Sequence, residues 1–175
     1  MLAPLHVFAD GSVLIASERS GFAHLYRISV TGQVKAITSG NWQVDVVEEH
    51  TDGHMLVLVD EARNVVFFHG HRESVLEKHI YVASLAADAD PANCVRLTDG
   101  GFSHKGELSL SQFVVTRSNL NSVHELLIYR IVHDHAGKLP RAELLAKPLP
   151  LVNPSSSAPF PFASPKVKPF QIRIL

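Results

Sequence analysis

"HLYRIS" at residues 24–29 returns as "HIYVAS" at 79–84 and as "LIYRIV" at 127–132. The copies sit about 50 residues apart, the period of one blade in a propeller array. The flanks repeat as well. "GQVKAITSGNW" (32–42) follows the first copy and "ANCVRLTDGGFSH" (92–104) follows the second, each a short strand ending in Thr, a small polar residue and Gly ahead of an aromatic. A strand and a polar loop precede each copy: "LIASERSGFA", "VFFHGHRESVLEK" and "FVVTRSNLNSVHE". One unit therefore reads strand, polar loop, strand, turn, strand, which is three of the four strands of a blade. The innermost strand is placed at "VVEEHTD" (46–52) in the second unit and "KGELSLS" (105–111) in the third. His24 has one counterpart, His79, and reads as the first residue of a strand rather than a base.

The rest of the chain agrees with an all-β class. Short runs rich in β-branched and aromatic residues, at 12–17, 24–30, 54–60, 64–70, 79–85, 111–117 and 125–132, alternate with Asp, Gly, Asn and Ser, and no convincing helical period appears. "ADG" (9–11), "TDG" (51–53) and "TDGG" (98–101) supply turn chemistry, because Asp tolerates and Gly favours positive φ. From residue 138 proline and serine dominate and the apolar periodicity stops, so 136–175 reads as a poorly ordered linker-like tail after a β domain at 1–135.

Composition narrows the function classes. With 46% apolar and 19% charged residues the chain is able to bury a core, and a net charge of −1 with scattered basic residues gives no electrostatic reason for nucleic acid or an anionic membrane as partner. No run of about 18 apolar residues and no signal-peptide pattern occurs. The single cysteine, Cys94, and the absence of a glycosylation sequon fit a reducing, cytoplasmic setting.

Several residues invite chemistry. Ser103 beside His104 is the nearest thing to a nucleophile and base, but neighbours on a strand face opposite ways. His50 with His54, His69 with His71, and His133 with His135 have chelating spacings, yet the sequence brings no third ligand to any pair. Cys94 reads as a small half-buried residue. Trp42 and Phe102, after the repeated T-x-G, read as covers over the turn into the next blade. The loops "ERSG" (18–21), "HRES" (71–74) and "RSNLN" (117–121) occupy one place in each unit, with Glu18–Arg19 and Arg72–Glu73 expected as local ion pairs. No catalytic, cofactor-binding or metal-ligating residue is therefore assigned, and no cofactor is expected.

"ASERSGFAHLYRIS", "AITSGNWQV", "VVFFHGHRESVLEKHIYVASL", "VRLTDGGFSHKGELSLS" and "FVVTRSNLNSV" resemble, in this order, the C-terminal propeller blades of the dipeptidyl peptidase IV family. "ESVLEKHIYVASL" and "RLTDGGFSH" look most like the cytosolic branch of dipeptidyl peptidases 8 and 9. The resemblance covers roughly residues 5–132. It implies a partial β-propeller, about three four-stranded antiparallel blades of an eight-bladed ring. It also implies a role in a serine-type dipeptidyl peptidase that removes N-terminal X-Pro or X-Ala dipeptides. Such a peptidase needs a nucleophilic Ser on a strand-to-helix elbow, and no G-x-S-x-G occurs here, so the chain is expected to be non-catalytic alone. Glu48 and Glu49 lie in a different blade from the family's substrate-binding glutamates and take no such role. The other readings are a stand-alone β-rich interaction module, and a metal or thiol hydrolase using the histidines or Cys94. Three blades leave two blade faces uncovered, so self-association or a protein partner is expected, with peptide substrate only in a full-length context.

Overall fold

The computed structural model describes residues 5–45, 57–134 and 138–148. Thirteen strands and no helix occur among them, in three antiparallel sheets. The first sheet is β1 (His6–Val7), β2 (Val13–Ser17), β3 (His24–Ile28) and β4 (Val34–Ala36), in chain order. The second has β7 (Val65–His71), β8 (His79–Ser84) and β9 (Cys94–Arg96), with β5 (Gln43–Asp45) and β6 (Val57–Asp60) sharing the free edge of β7. The third is β10 (Ser103–Leu108), β11 (Gln112–Asn119), β12 (Ser122–Val132) and β13 (Arg141–Ala146). Each sheet is a blade, and together they form a partial β-propeller.

Burial shows how the blades stack. β2 alternates half-buried and buried, and β11 alternates exposed and buried over residues 112–116, so blades one and three bury one face each. In β7 every residue from Val65 to Gly70 is buried. Val66, Phe68 and Tyr81 pack with Leu14 and Leu25 of blade one, whereas Val65, Phe67 and Ile80 pack with Phe113, Val115 and Leu127 of blade three. Blade two is therefore the middle of a three-layer stack, and its near-continuous apolar run follows from having two dry faces. Each buried Phe contributes roughly 1.5–3 kcal/mol by leaving water.

The same tyrosine marks each blade. Tyr81 reaches towards blade one and Tyr129 towards blade two, while Tyr26, with no earlier blade among the described residues, is covered by the Arg19 guanidinium 4.6 Å above its ring. Among the described residues the open face of blade three has no equivalent cover, and Val114 and Leu126 on it are exposed.

Two glycines are required by close approach. At Gly40 (φ 130°) a Cβ would lie 2.5 Å from the Trp42 indole nitrogen, which instead donates to the Ser39 carbonyl at 2.9 Å. At Gly106 in β10 a Cβ would run into the Val114 carbonyl oxygen and lie 2.6 Å from the Val115 Cα.

The strands expected from sequence form, with three adjustments. The innermost strand of blade two is split: Asp45 pairs with His69 and Val57 with Phe68, so β5 and β6 meet on consecutive rungs of β7. The expected strand at 46–52 itself lies outside the described residues. The innermost strand of blade three starts at Ser103 rather than 105. Finally, β13 lies inside the segment read as linker-like tail, pairing with β12 from Val132↔Arg141 to Ile128↔Ala146 and completing the third blade. "RAELLA" carries little β propensity; the free edge of β12 decides its state. Residues 149–175 lie outside the description.

Candidate functional site

The connections β2–β3 (18–23), β7–β8 (72–78) and β11–β12 (120–121) emerge at one end of the arc, together with the segments that pass from blade to blade. Two clefts open there. One, between blades one and two, is lined by Phe22, Trp42, His71 and Val75 and holds about 220 Å³. The other, between blades two and three, is lined by Leu76, Glu77, Phe102, Ser103 and Leu120 and holds about 420 Å³.

The loop arginines are all held by their own surroundings, but not as the sequence suggested. Arg19 bonds Ser17 Oγ at 3.2 Å and covers Tyr26 rather than pairing with Glu18. Arg72 Nη1 donates to the Cys94 carbonyl at 3.0 Å and lies 3.1 Å from its Sγ, while Glu73 accepts from the Tyr81 hydroxyl and sits 4.0 Å from Arg96. Residues adjacent in a turn diverge, so each charge meets a residue far away in sequence. Arg117 pairs with Asp99 (2.7 Å) and Glu125 (2.9 Å) and lies over the Phe102 ring at 4.1 Å. Trp42 is buried and stacks towards Phe68 and Tyr81, covering the turn into blade two as its position suggests.

Sequence reasoning missed a repeated pairing at this end. His24 Nδ1 lies 3.0 Å from Thr38 Oγ1 and its Nε2 lies 2.9 Å from the Gly40 carbonyl. A carbonyl only accepts, so Nε2 carries the proton and Nδ1 accepts from the threonine hydroxyl, whose oxygen takes the Leu25 N–H at 3.0 Å. His79 repeats this with Thr98 (2.9 Å) and Ile80 N–H (3.3 Å), its Nε2 donating to Glu77 at 3.1 Å. All four side chains are buried. The signal was present in the two H-x-Y stretches and the two T-x-G turns, but nothing in sequence said that they meet.

Ser103 and His104 occupy consecutive rungs of β10, opposite Ser118 and Arg117. Ser103 lines the larger cleft, whereas His104 is fully buried, with Nδ1 3.2 Å from the Lys78 carbonyl and Nε2 without a partner. Burial first, and then the neighbouring His79, push the imidazole pKa down to about 4. Burial also pushes the Cys94 thiol up, against the lowering effect of Arg72, so the reactive thiolate is disfavoured. His69 is buried and His71 sits 4.0 Å from Asp45, whose carboxylate is taken by Lys78 at 2.6 Å. Among the described residues, no three His, Cys, Asp or Glu side chains are grouped to hold a metal. Glu48, Glu49, His50, His54 and His135 lie outside the described residues.

Comparison with known proteins places this architecture. The model of the dipeptidyl peptidase IV N-terminal region matches residues 2–122. Dipeptidyl peptidase 8 of Mus musculus is 35% identical over 144 residues, 67% of this chain and 15% of that protein. The Homo sapiens dipeptidyl peptidase 8 is 33% identical over 157 residues, 72% of this chain and 17% of that protein. The crystal structure of Porphyromonas gingivalis dipeptidyl peptidase 4 shares the fold, with a TM-score of 0.54 at 22% identity, over 70% of this chain and 16% of that one. The chain thus spans about a sixth of the length of these relatives. By the family match, the shared sequence and the stacked blades, the chain belongs to the dipeptidyl peptidase IV family, in the branch of dipeptidyl peptidases 8 and 9, and corresponds to its N-terminal propeller region.

Proposed function

We propose that this chain is the propeller portion of a serine-type dipeptidyl peptidase, serving removal of N-terminal X-Pro and X-Ala dipeptides together with an α/β-hydrolase domain, and non-catalytic by itself. The observation that carries the reading is the uneven burial of the stack. Blade two is dry on both faces while blade three leaves Val114 and Leu126 exposed on its far face, the pattern of an arc that continues into further blades. The polar groups at the loop end support the non-catalytic part. His24 and His79 are fully engaged with threonine, and His104 is buried with a depressed pKa, which leaves none of these imidazoles poised as a base for Ser103. A cytoplasmic setting is part of the same proposal, supported by the lone buried thiol. Among the described residues no helix is long and apolar enough to cross a membrane.

Release of a chromophore from a Gly-Pro substrate tests the reading. The isolated chain is expected to give none, and activity abolished by a serine-directed inhibitor would overturn the non-catalytic assignment.

The exposed apolar face of blade three favours a second reading, a β-rich interaction module that associates with another copy or a protein partner through that face. The two readings share a surface and differ in whether the chain meets its partner within one polypeptide.

A further inference from the structure

We propose that the loop tips at the cleft end form an apolar docking row for this chain's own C-terminal segment, residues 158–175. Each blade contributes a tip. Phe22 is 38% exposed, Val75 77%, Leu76 57% and Leu120 53%. Single exposed apolar residues are ordinary, but these four are arranged in order across two adjoining clefts: Phe22 and Val75 line one, Leu76 and Leu120 the other. Val75 and Leu76 are neighbours, so the two clefts flank a single loop and read as one interrupted groove.

The path of the chain selects the occupant. β13 runs antiparallel to β12 and so leaves the blade towards the β11–β12 hairpin that carries Leu120. Lys147, just beyond β13, is held 2.7 Å from Glu125; Glu125 holds Arg117 at 2.9 Å; and Arg117 covers Phe102, a wall of the larger cleft. The chain is delivered to the rim of the groove. The ten steps along the chain from Pro148 to Ala158 have a maximum reach of about 33 Å, more than the roughly 20 Å spanned by three sheets at ordinary packing distance.

The chemistry of the segment fits. Residues 149–175 contain Phe160, Phe162, Phe170, Ile172 and Ile174, no Asp or Glu, and the cations Lys166, Lys168 and Arg173. The groove offers apolar tips and negative charge at Glu77, in the cleft wall, which also accepts from His79 and the Gly101 N–H, and at Glu73, in the same loop, which also accepts from the Tyr81 hydroxyl. Prolines at 159, 161, 165 and 169 favour an extended polyproline conformation, which lowers the entropy lost on lying in a groove. The inference does not depend on the peptidase reading.

Two measurements on the full 175-residue chain test it. A photo-crosslinking amino acid at Leu76 or Leu120, in a mixture of light and heavy isotope-labelled chains, is expected to attach to residues 158–175 of the same chain. The same group at Val30, 73% exposed at the opposite end, is expected to leave that segment untouched. Hydrogen exchange at 72–78 and 119–122 is expected to be several-fold faster in a Phe160→Ser, Phe162→Ser, Phe170→Ser variant. Unchanged exchange in that variant overturns the proposal whatever the crosslinks. Crosslinks formed only between light and heavy chains overturn it too, and assign the row to association between copies.

Discussion

His24 and Thr38 form a buried hydrogen bond of 3.0 Å between the first residue of one strand and the turn that leaves the blade, and His79 and Thr98 repeat it in the next blade. In both, one hydroxyl satisfies an imidazole nitrogen and a backbone N–H at the start of the strand. The unit closes the same end of each blade where the chain crosses to the next one. It is absent from blade three, where the repeat carries no histidine.

This pairing predicts a specific loss. Thr98→Val keeps the shape but removes the hydroxyl, leaving His79 Nδ1 and the Ile80 N–H unpaired in a buried site, and unsatisfied buried polar groups cost about 1–3 kcal/mol. Urea unfolding should show a lower midpoint for Thr98→Val, with Thr98→Ser close to the wild type. Equal midpoints for the two variants would mean that the hydroxyl is not what matters.

His104 predicts acid sensitivity. Its folded pKa is about 4, below the ordinary imidazole value near 6.5, so the unfolded chain binds the extra proton first as pH falls. Stability from this group is complete above about pH 6.5, declines as pH drops from there, and the loss levels off near pH 4; the shift corresponds to about 3 kcal/mol. Lys78, His79, Asp99 and Arg117 are the titratable neighbours, and His71, also held low mainly by burial, adds in the same direction. His104→Phe should flatten the pH dependence of the unfolding free energy between pH 4 and 6.5, and an unchanged slope would remove His104 from the explanation.

The open face of blade three predicts association. Val114→Lys with Leu126→Lys places charge on that face without touching the dry side, where Val115 and Leu127 are buried. Sedimentation velocity should show the wild-type chain self-associating and the double variant shifted towards monomer, with β-rich circular dichroism retained. A wild-type chain that stays monomeric at high concentration would contradict the open-arc description.

How much of this was legible in the sequence depends on what decided each element. The strands around "HLYRIS" and "HIYVAS" could be read because their apolar content is set by burial between blades, a demand that every copy meets alike. β13 could not, since Ala, Glu and Leu in "RAELLA" argue for no strand and only the unpaired edge of β12 makes one. The loop charges misled for a related reason. Arg72 and Glu73 are neighbours in sequence, yet the turn sends one to Cys94 and the other to Tyr81. His24 and Thr38 were both visible as repeated residues, but their contact depends on β3 and β4 pairing in register, which appears only in the fold.

Blade two is the inner layer of the propeller arc, with blades one and three on its two sides. Residue-resolved amide hydrogen exchange tests it most directly. The ladder amides of β7 and β8, dry on both faces, should exchange slowest, with β2 and β11 opening earlier. Protection in β2 or β11 that outlasts β7 and β8 would contradict the stacking on which the fold and the proposed function rest.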